Sequence, residues 1–148
     1  MRAVIQRVRS ASVHVKGEEV ASIRTGLLVL AAVEKGDDGS VMVLAARKIR
    51  ELRIFADGQG KMNLGLAEVG GAILAVSQFT LAGSMARGRR PSFDRAEAPE
   101  LASELFTELV RELGSTGIPV KTGMFREDML VSLENDGPVT FVLDLPEK

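Results

Sequence analysis

Two short stretches carry the residues best suited to chemistry. Ser77-Gln78-Phe79-Thr80 places two hydroxyls and a carboxamide at the end of the apolar run Ala72 to Phe79, just before a stretch rich in glycine and arginine. Strand ends open onto loops, and sites of α/β proteins gather there. A hydroxyl attacks an acyl carbon only if a base takes its proton. The single histidine, His14, is remote in sequence and alternates with Val13 and Val15, which puts it on a solvated strand face. The spacing alone therefore leaves the hydroxyls as polar caps of a strand end more often than as catalysts.

The second stretch is Asn135-Asp136-Gly137-Pro138-Val139-Thr140. Only about 5–6% of X-Pro bonds in folded proteins are cis, so a trans proline in a hairpin loop is the ordinary reading. A cis bond would make the turn rigid, and Gly137, without a side chain, would let a ligand approach its backbone. A main-chain carbonyl fixed there admits one hand of a chiral α-carbon and clashes with the other. The 148 residues include no cysteine, which excludes thiolate nucleophiles, disulfides, iron–sulfur clusters and Cys-based zinc sites. One histidine cannot make a two-His clamp and no HExxH is present, so no metal site of that kind is expected.

The scaffold around these residues can be read from periodicity. Val4 to Val8 and Ala11 to Val15 read as two strands, and Lys16-Gly17-Glu18-Glu19 as a turn into a third, Val20 to Ile23. The unbroken apolar run Leu27 to Val33 suits a central strand buried on both faces. Asp37, Asp38 and Ser40 offer N-cap oxygens to a helix running to about Arg50. Leu52 to Phe55 reads as a strand, Asp57-Gly58 and Gly60 as a turn, and 61–70 as loop with extended pieces. Ala72 to Phe79 is a strand and 83–98 an exposed loop. Pro99 opens a helix with leucines at 101, 105, 109 and 113 and a stripe of glutamates on its solvent side, ended by Gly114. Ile118 to Lys121, Met129 to Leu133 and Val139 to Leu143 read as strands, with Asn135–Pro138 as the loop between the last two. The expectation is a single mixed α+β domain over 1–148, β layers with two main helices packed on them.

Nineteen basic against twenty acidic residues give a net charge of −1, so a nucleic-acid partner would need a local patch. Arg2, Arg7, Arg9 and Lys16 lie in an N-terminal stretch free of acids, and residues 87–95 carry four arginines against Asp94 alone; solvated charge is the simpler reading of both. No apolar run is long enough for a membrane helix and no signal-peptide core opens the chain, so a cytoplasmic protein without membrane contact is expected.

Taken together these residues resemble the D-aminoacyl-tRNA deacylase family. The resemblance covers the chain: Met1-Arg2-Ala3-Val4-Ile5-Gln6-Arg7-Val8, Gly26-Leu27-Leu28-Val29-Leu30, Leu52-Arg53-Ile54-Phe55 and Gly60-Lys61-Met62-Asn63-Leu64. More specifically, Ser77-Gln78-Phe79-Thr80-Leu81 is similar to the SQxxT motif, followed by Gly88-Arg89-Arg90-Pro91-Ser92-Phe93, and Asn135 to Thr140 to NxGPxT. One departure stands out: Phe125-Arg126-Glu127 occupies the place where the family commonly has Phe-Gly-Ala.

The resemblance implies an enzyme that hydrolyses the ester of D-aminoacyl-tRNA, and of glycyl-tRNA mischarged on tRNA(Ala), as chiral proofreading in translation quality control. It implies a homodimer with active sites at the subunit interface, where Ser77, Gln78, Phe79 and Thr80 of one copy face Gly137 and Pro138 of the other, with that proline cis. Asn135 and Thr140 belong to the same substrate-binding motif and Arg7 braces its turn, while Phe79, Phe125 and Met129 border the pocket for the terminal adenosine and amino acid. The neighbouring ribose hydroxyl could assist attack by water, so Thr80 either orients or attacks. Arg87, Arg89 and Arg90 then become tRNA phosphate contacts. Two alternatives remain: a related deacylase for mischarged L-aminoacyl-tRNA with a trans proline, and a non-catalytic RNA-binding dimer.

Overall fold

The structure is a computed structural model that describes residues 1–146. Its first strand, β1 (Arg2–Val15), runs unbroken through the Arg9-Ser10 step that separates two strands in the sequence reading. Continuity is possible because the irregularity falls in the pairing. The register against the last strand shifts on both sides of Val8, and a bulge bends a strand without ending it. Lys16 and Gly17, with φ of 50° and 81°, form the two-residue turn into β2 (Glu18–Ile23), as a primed hairpin turn requires.

The first half of β1 pairs antiparallel with β3 (Gly26–Ala32) and the second half with β2. Beyond β3 the sheet is parallel. After β4 (Phe55–Ala56) and β5 (Met62–Leu64), which form a separate small ribbon, β6 (Ala72–Ser77) adds to β3 and β7 (Val120–Thr122) adds to β6. β8 (Leu130–Asp144) lies antiparallel along the other edge of β1 for nearly its whole length. The segment Asn135–Pro138 is therefore a bulge within one strand, and not a loop between two. Opposite Arg7, four residues of β8 (136–139) fill the gap between the Gln6–Thr140 and Val8–Asn135 pairs.

Helices α1 (Gly39–Arg50) and α3 (Pro99–Leu113) pack together on one face of the sheet. Asp38 caps α1 by accepting from the Val41 N–H at 3.2 Å, and Pro99 occupies the first turn of α3. Gly114 ends α3 without using a left-handed conformation, its φ being −89°. The four-residue α2 (Leu66–Val69) lies in the segment read as loop; it is too short to show a helical period, and Leu66 anchors it in the core.

The alternation along β3 and β6 serves two cores. Leu27, Val29, Ile73 and Ala75 meet Met42, Ile49, Leu109 and Leu113 under the helices. Leu28, Leu74 and Val76 meet Val8, Val13, Val15, Ala21 and Ile23 on the opposite face, where β2 curls back toward β6 and β7. β3 is thus the central strand buried on both faces that its sequence indicates. Truncating Leu27, Leu28 or Ile73 to alanine would cost about 2–5 kcal/mol. That rigidity holds the C-terminal end of β6, and with it Ser77, in a fixed place.

Candidate active site

β6 stops at Ser77, two residues before the end expected from its apolar run, because Phe79–Ala82 turns into a short 3-10 helix. The Gln78 N–H still reaches the Ala31 carbonyl of β3 at 2.8 Å, which pins the turn to the end of the parallel strands. Ser77, Gln78 and Phe79 line one wall of a cavity of about 530 Å³. Phe125 and Met129 line the same cavity, so the sequence-expected pocket residues do meet. Pro99 and Ala102 of α3 and the preceding Glu97 also line it; their spacing from the motifs gives no hint of this. Thr80 lies outside this lining, and its hydroxyl accepts a hydrogen bond from the Gln78 carboxamide.

Phe79 is more than half exposed, 58%, and packs edge-on against Phe93 with ring centroids 5.2 Å apart. This contact ties the motif to the basic loop. The loop is closed at its base by paired hydrogen bonds between Ser84 and Ser92, at 2.7 and 2.8 Å. Gly83 permits the close approach, since a Cβ there would lie 2.9 Å from both the Phe93 ring and the Thr80 carbonyl. Arg87, Arg89 and Arg90 are exposed and, among the described residues, make no ion pair, whereas Arg95 is held by Glu34 at 3.3 Å.

His14 is half-buried, with its Nδ1 shut off from solvent and without a hydrogen-bond partner, and so does not sit on an open solvated face. It lines a shallow hollow with Lys16 and Asp128 and is absent from the lining of the Ser77 cavity.

The second motif forms its own braced unit. The Gly137-Pro138 peptide bond is cis, and Gly137 has a φ of 143°. A Cβ on Gly137 would meet Val139 Cγ2 at 2.6 Å and Arg7 Nη2 at 3.2 Å, so only glycine fits. Arg7 donates from Nε to the Asp136 carbonyl at 2.9 Å and from Nη1 to the Ile54 carbonyl at 2.6 Å. Ile54 lies in the Leu52–Phe55 segment that carries part of the resemblance, but nothing in its side chain foretells this contact, which is made by its main chain. Asn135 Oδ1 accepts from the Val139 N–H at 2.7 Å and its Nδ2 donates to Thr140 Oγ1 at 2.9 Å. Asn135 and Thr140 thereby hold the turn from inside.

Within one chain the two motifs stand apart. The register aligns Ala3 with Ala31 and Ser77, but Arg7 with Leu27 and Ile73. Four residues along the strands and three strand spacings across them put Ser77 and Gly137 about 20 Å apart.

A cavity of mixed apolar and polar lining at the C-terminal end of β6, with a mixed α+β scaffold behind it, is the kind of place where proteins of this architecture bind and act on a ligand. The family model described as D-Tyr-tRNA(Tyr) deacylase matches residues 4–144, and the chain belongs to that family of ester hydrolases. It is 55% identical over 148 residues to a D-aminoacyl-tRNA deacylase of Geobacter sp. (strain M21), covering 100% of this chain and 99% of the relative. A D-aminoacyl-tRNA deacylase of Pelobacter propionicus is 57% identical over 144 residues, 97% of this chain and 99% of the relative. Among solved structures, the c-Myc DNA Unwinding Element Binding Protein superposes with a TM-score of 0.94 at 37% identity, covering 99% of this chain and 100% of that one. A probable eukaryotic D-amino acid tRNA deacylase shares the fold, with a TM-score of 0.82 at 18% identity over 97% of this chain and 98% of that one. Among the described residues no helix is long and apolar enough to cross a membrane.

Proposed function

We propose that this chain hydrolyses the ester between a D-amino acid and tRNA, as a cytoplasmic homodimer whose sites each combine Ser77–Thr80 of one copy with Gly137-Pro138 of the other. The observation that carries the reading is the braced turn at Gly137: a backbone without a side chain, fixed by Arg7 and Asn135, is suited to testing the handedness of an α-carbon. The separation of about 20 Å within one chain favours a site completed by a second copy. Among the described residues β8 also leaves one edge unpaired, and it exposes Leu130, Phe141 and Val142, at 69%, 43% and 63%. Such an edge is a pairing surface.

In the reaction, water adds to the acyl carbon and the bond to the ribose oxygen breaks. The free carboxylic acid leaves, and the ribose oxygen takes up the proton that the attacking water gives up. A vicinal ribose hydroxyl assists the attack, so the protein's work is orientation and charge stabilisation. The first N–H groups of the turn at Phe79 and Thr80 have no intrahelical acceptor and no side-chain cap, and they serve as donors to the developing oxyanion. Gln78 and Thr80, hydrogen-bonded to each other, orient the ester, and no metal or organic cofactor takes part. Phe125 and Met129 border the bound adenosine, and Arg87, Arg89 and Arg90 contact phosphates of the tRNA.

The test is hydrolysis of matched D-alanyl-, L-alanyl- and glycyl-tRNA(Ala). The D-ester and the glycyl ester, which has nothing to clash, should be cleaved, and the L-ester should not. Cleavage of the L-ester would point instead to an L-aminoacyl-tRNA deacylase. Binding without cleavage of any ester would point to a nucleic-acid-binding dimer, which the three exposed arginines would also suit.

A further inference from the structure

The lining of the Ser77 cavity includes a turn of unusual composition. Met124–Glu127 is closed by the Glu127 N–H donating to the Met124 carbonyl at 3.3 Å, and its third residue, Arg126, has a φ of 65°. Positive φ at this place in a turn suits glycine, because a Cβ crowds the backbone there. Among the described residues the only other non-glycine with positive φ is Lys16, in a hairpin turn that demands it. A strained arginine would ordinarily be explained by an internal contact. Here there is none: the side chain is exposed and makes no hydrogen bond or ion pair among the described residues, although Glu127 and Asp128 follow it directly.

The cavity wall around this turn is acidic. Of the residues lining the cavity, Glu97, Glu127 and Asp128 are acidic and Arg126 alone is basic. An RNA end entering past three carboxylates would be repelled unless a cation met its phosphates. Resting on the function proposed above, we infer that Arg126 is a substrate-positioning residue whose guanidinium binds the phosphodiester next to the terminal nucleoside of the aminoacyl-tRNA. A planar guanidinium matches a phosphate with two parallel hydrogen bonds.

Arg126→Gly removes the cation and relieves the backbone, so the variant should fold with a Tm no lower than wild type. Each protein is assayed on D-aminoacyl-tRNA and on the same D-aminoacyl ester of adenosine, which has no phosphate. The preference for tRNA over adenosine, as the ratio of kcat/KM values, should fall about fivefold in R126G, with the loss carried by KM. The slope of log KM against log salt should shrink by about 0.7, one phosphate's share on a single strand. Arg126→Lys should restore the slope while recovering only part of the preference. An unchanged ratio and slope in R126G, or equal losses on both substrates, would overturn the assignment and leave Arg126 a merely structural turn residue. If wild type itself cleaves neither ester, the proposed function fails and this inference fails with it; if wild type cleaves both, only the role of Arg126 is at stake.

Discussion

Replacing Arg7 by alanine probes the link between the fold and the chiral selection proposed above. The side chain is 13% exposed and donates to two main-chain carbonyls, Asp136 at 2.9 Å and Ile54 at 2.6 Å. Hydrogen bonds from a charged donor contribute about 1.5–3 kcal/mol each, and partial rehydration of the two carbonyls brings the expected loss to about 2–4 kcal/mol. For a domain of this size each kcal/mol shifts Tm by about 2–4 °C, so Arg7→Ala should melt about 5–15 °C below wild type. Arg9 does not compensate, since its contact with Asp136 is an exposed pair at 3.5 Å. Arg7→Lys keeps the charge but reaches one carbonyl at a time, and about half the loss is expected. Without the brace, the bulge at Gly137 can drift, and a displacement near 1 Å is enough to cost about 100-fold in a positioned reaction. Urea unfolding at fixed protein concentration gives the stability, and the ratio of D-alanyl- to L-alanyl-tRNA hydrolysis gives the selectivity. An Arg7→Ala protein with wild-type unfolding midpoint, or one destabilised as expected but with an unchanged D to L ratio, would refute the reasoning.

Particular contacts elsewhere in the chain lead to further expected outcomes. Changing Arg87, Arg89 and Arg90 together to alanine should weaken tRNA binding and lower its salt slope by about 2–3 without moving Tm, read by titration at several ionic strengths. Gly26→Ala would place a Cβ 1.8 Å from the Ala72 carbonyl and force β3 and β6 apart, costing about 3 kcal/mol or more in urea unfolding. Asp38 is held below its ordinary pKa by the Ser40 hydroxyl and the Val41 N–H, and Asp57 by the N–H groups of Lys61 and Gln59. Because the folded values are depressed, the stability these carboxylates supply is fully present above about pH 4 and lost as pH falls through the folded values. Asp38→Ala combined with Asp57→Ala should therefore lower Tm near neutrality and flatten its decline in acid. Sedimentation at micromolar concentration should give a dimer, and an active monomer would contradict a shared site.

Much of this arrangement is legible in the chain because local rules and tertiary needs agree. The leucine period of α3, the Asp38 cap and the two-sided apolar run of β3 all point one way. The misreadings share a cause. Arg9-Ser10 and Asn135–Pro138 look like breaks, but a bulge can absorb irregular residues when a partner strand continues past them, and pairing partners more than a hundred residues away leave no local trace. The turn after Ser77 cannot be seen for the opposite reason: the run up to Phe79 keeps enough apolar character to pass for more strand. At the site, side chains declared themselves through two motifs, whereas the Ile54 carbonyl and the φ of Arg126 are properties of the main chain. The sequence shows only that Phe125-Arg126-Glu127 departs from its family pattern.

The pairing of β1 with β8 also sets an order of events in time. During synthesis β1 emerges before the other strands, yet its partner along the full edge emerges after all three α-helices and every other described strand. Contacts so distant in sequence close slowly, and β1 must wait with its edge open. β3, α1, β6 and α3 can assemble meanwhile, so the Ser77 wall exists in an incomplete chain. Arg7 finds Asp136 only when β8 docks. On the function proposed above, a nascent chain thus gains its ester-binding half before its stereochemical guard, and the capacity to tell one hand from the other follows only when β8 has docked.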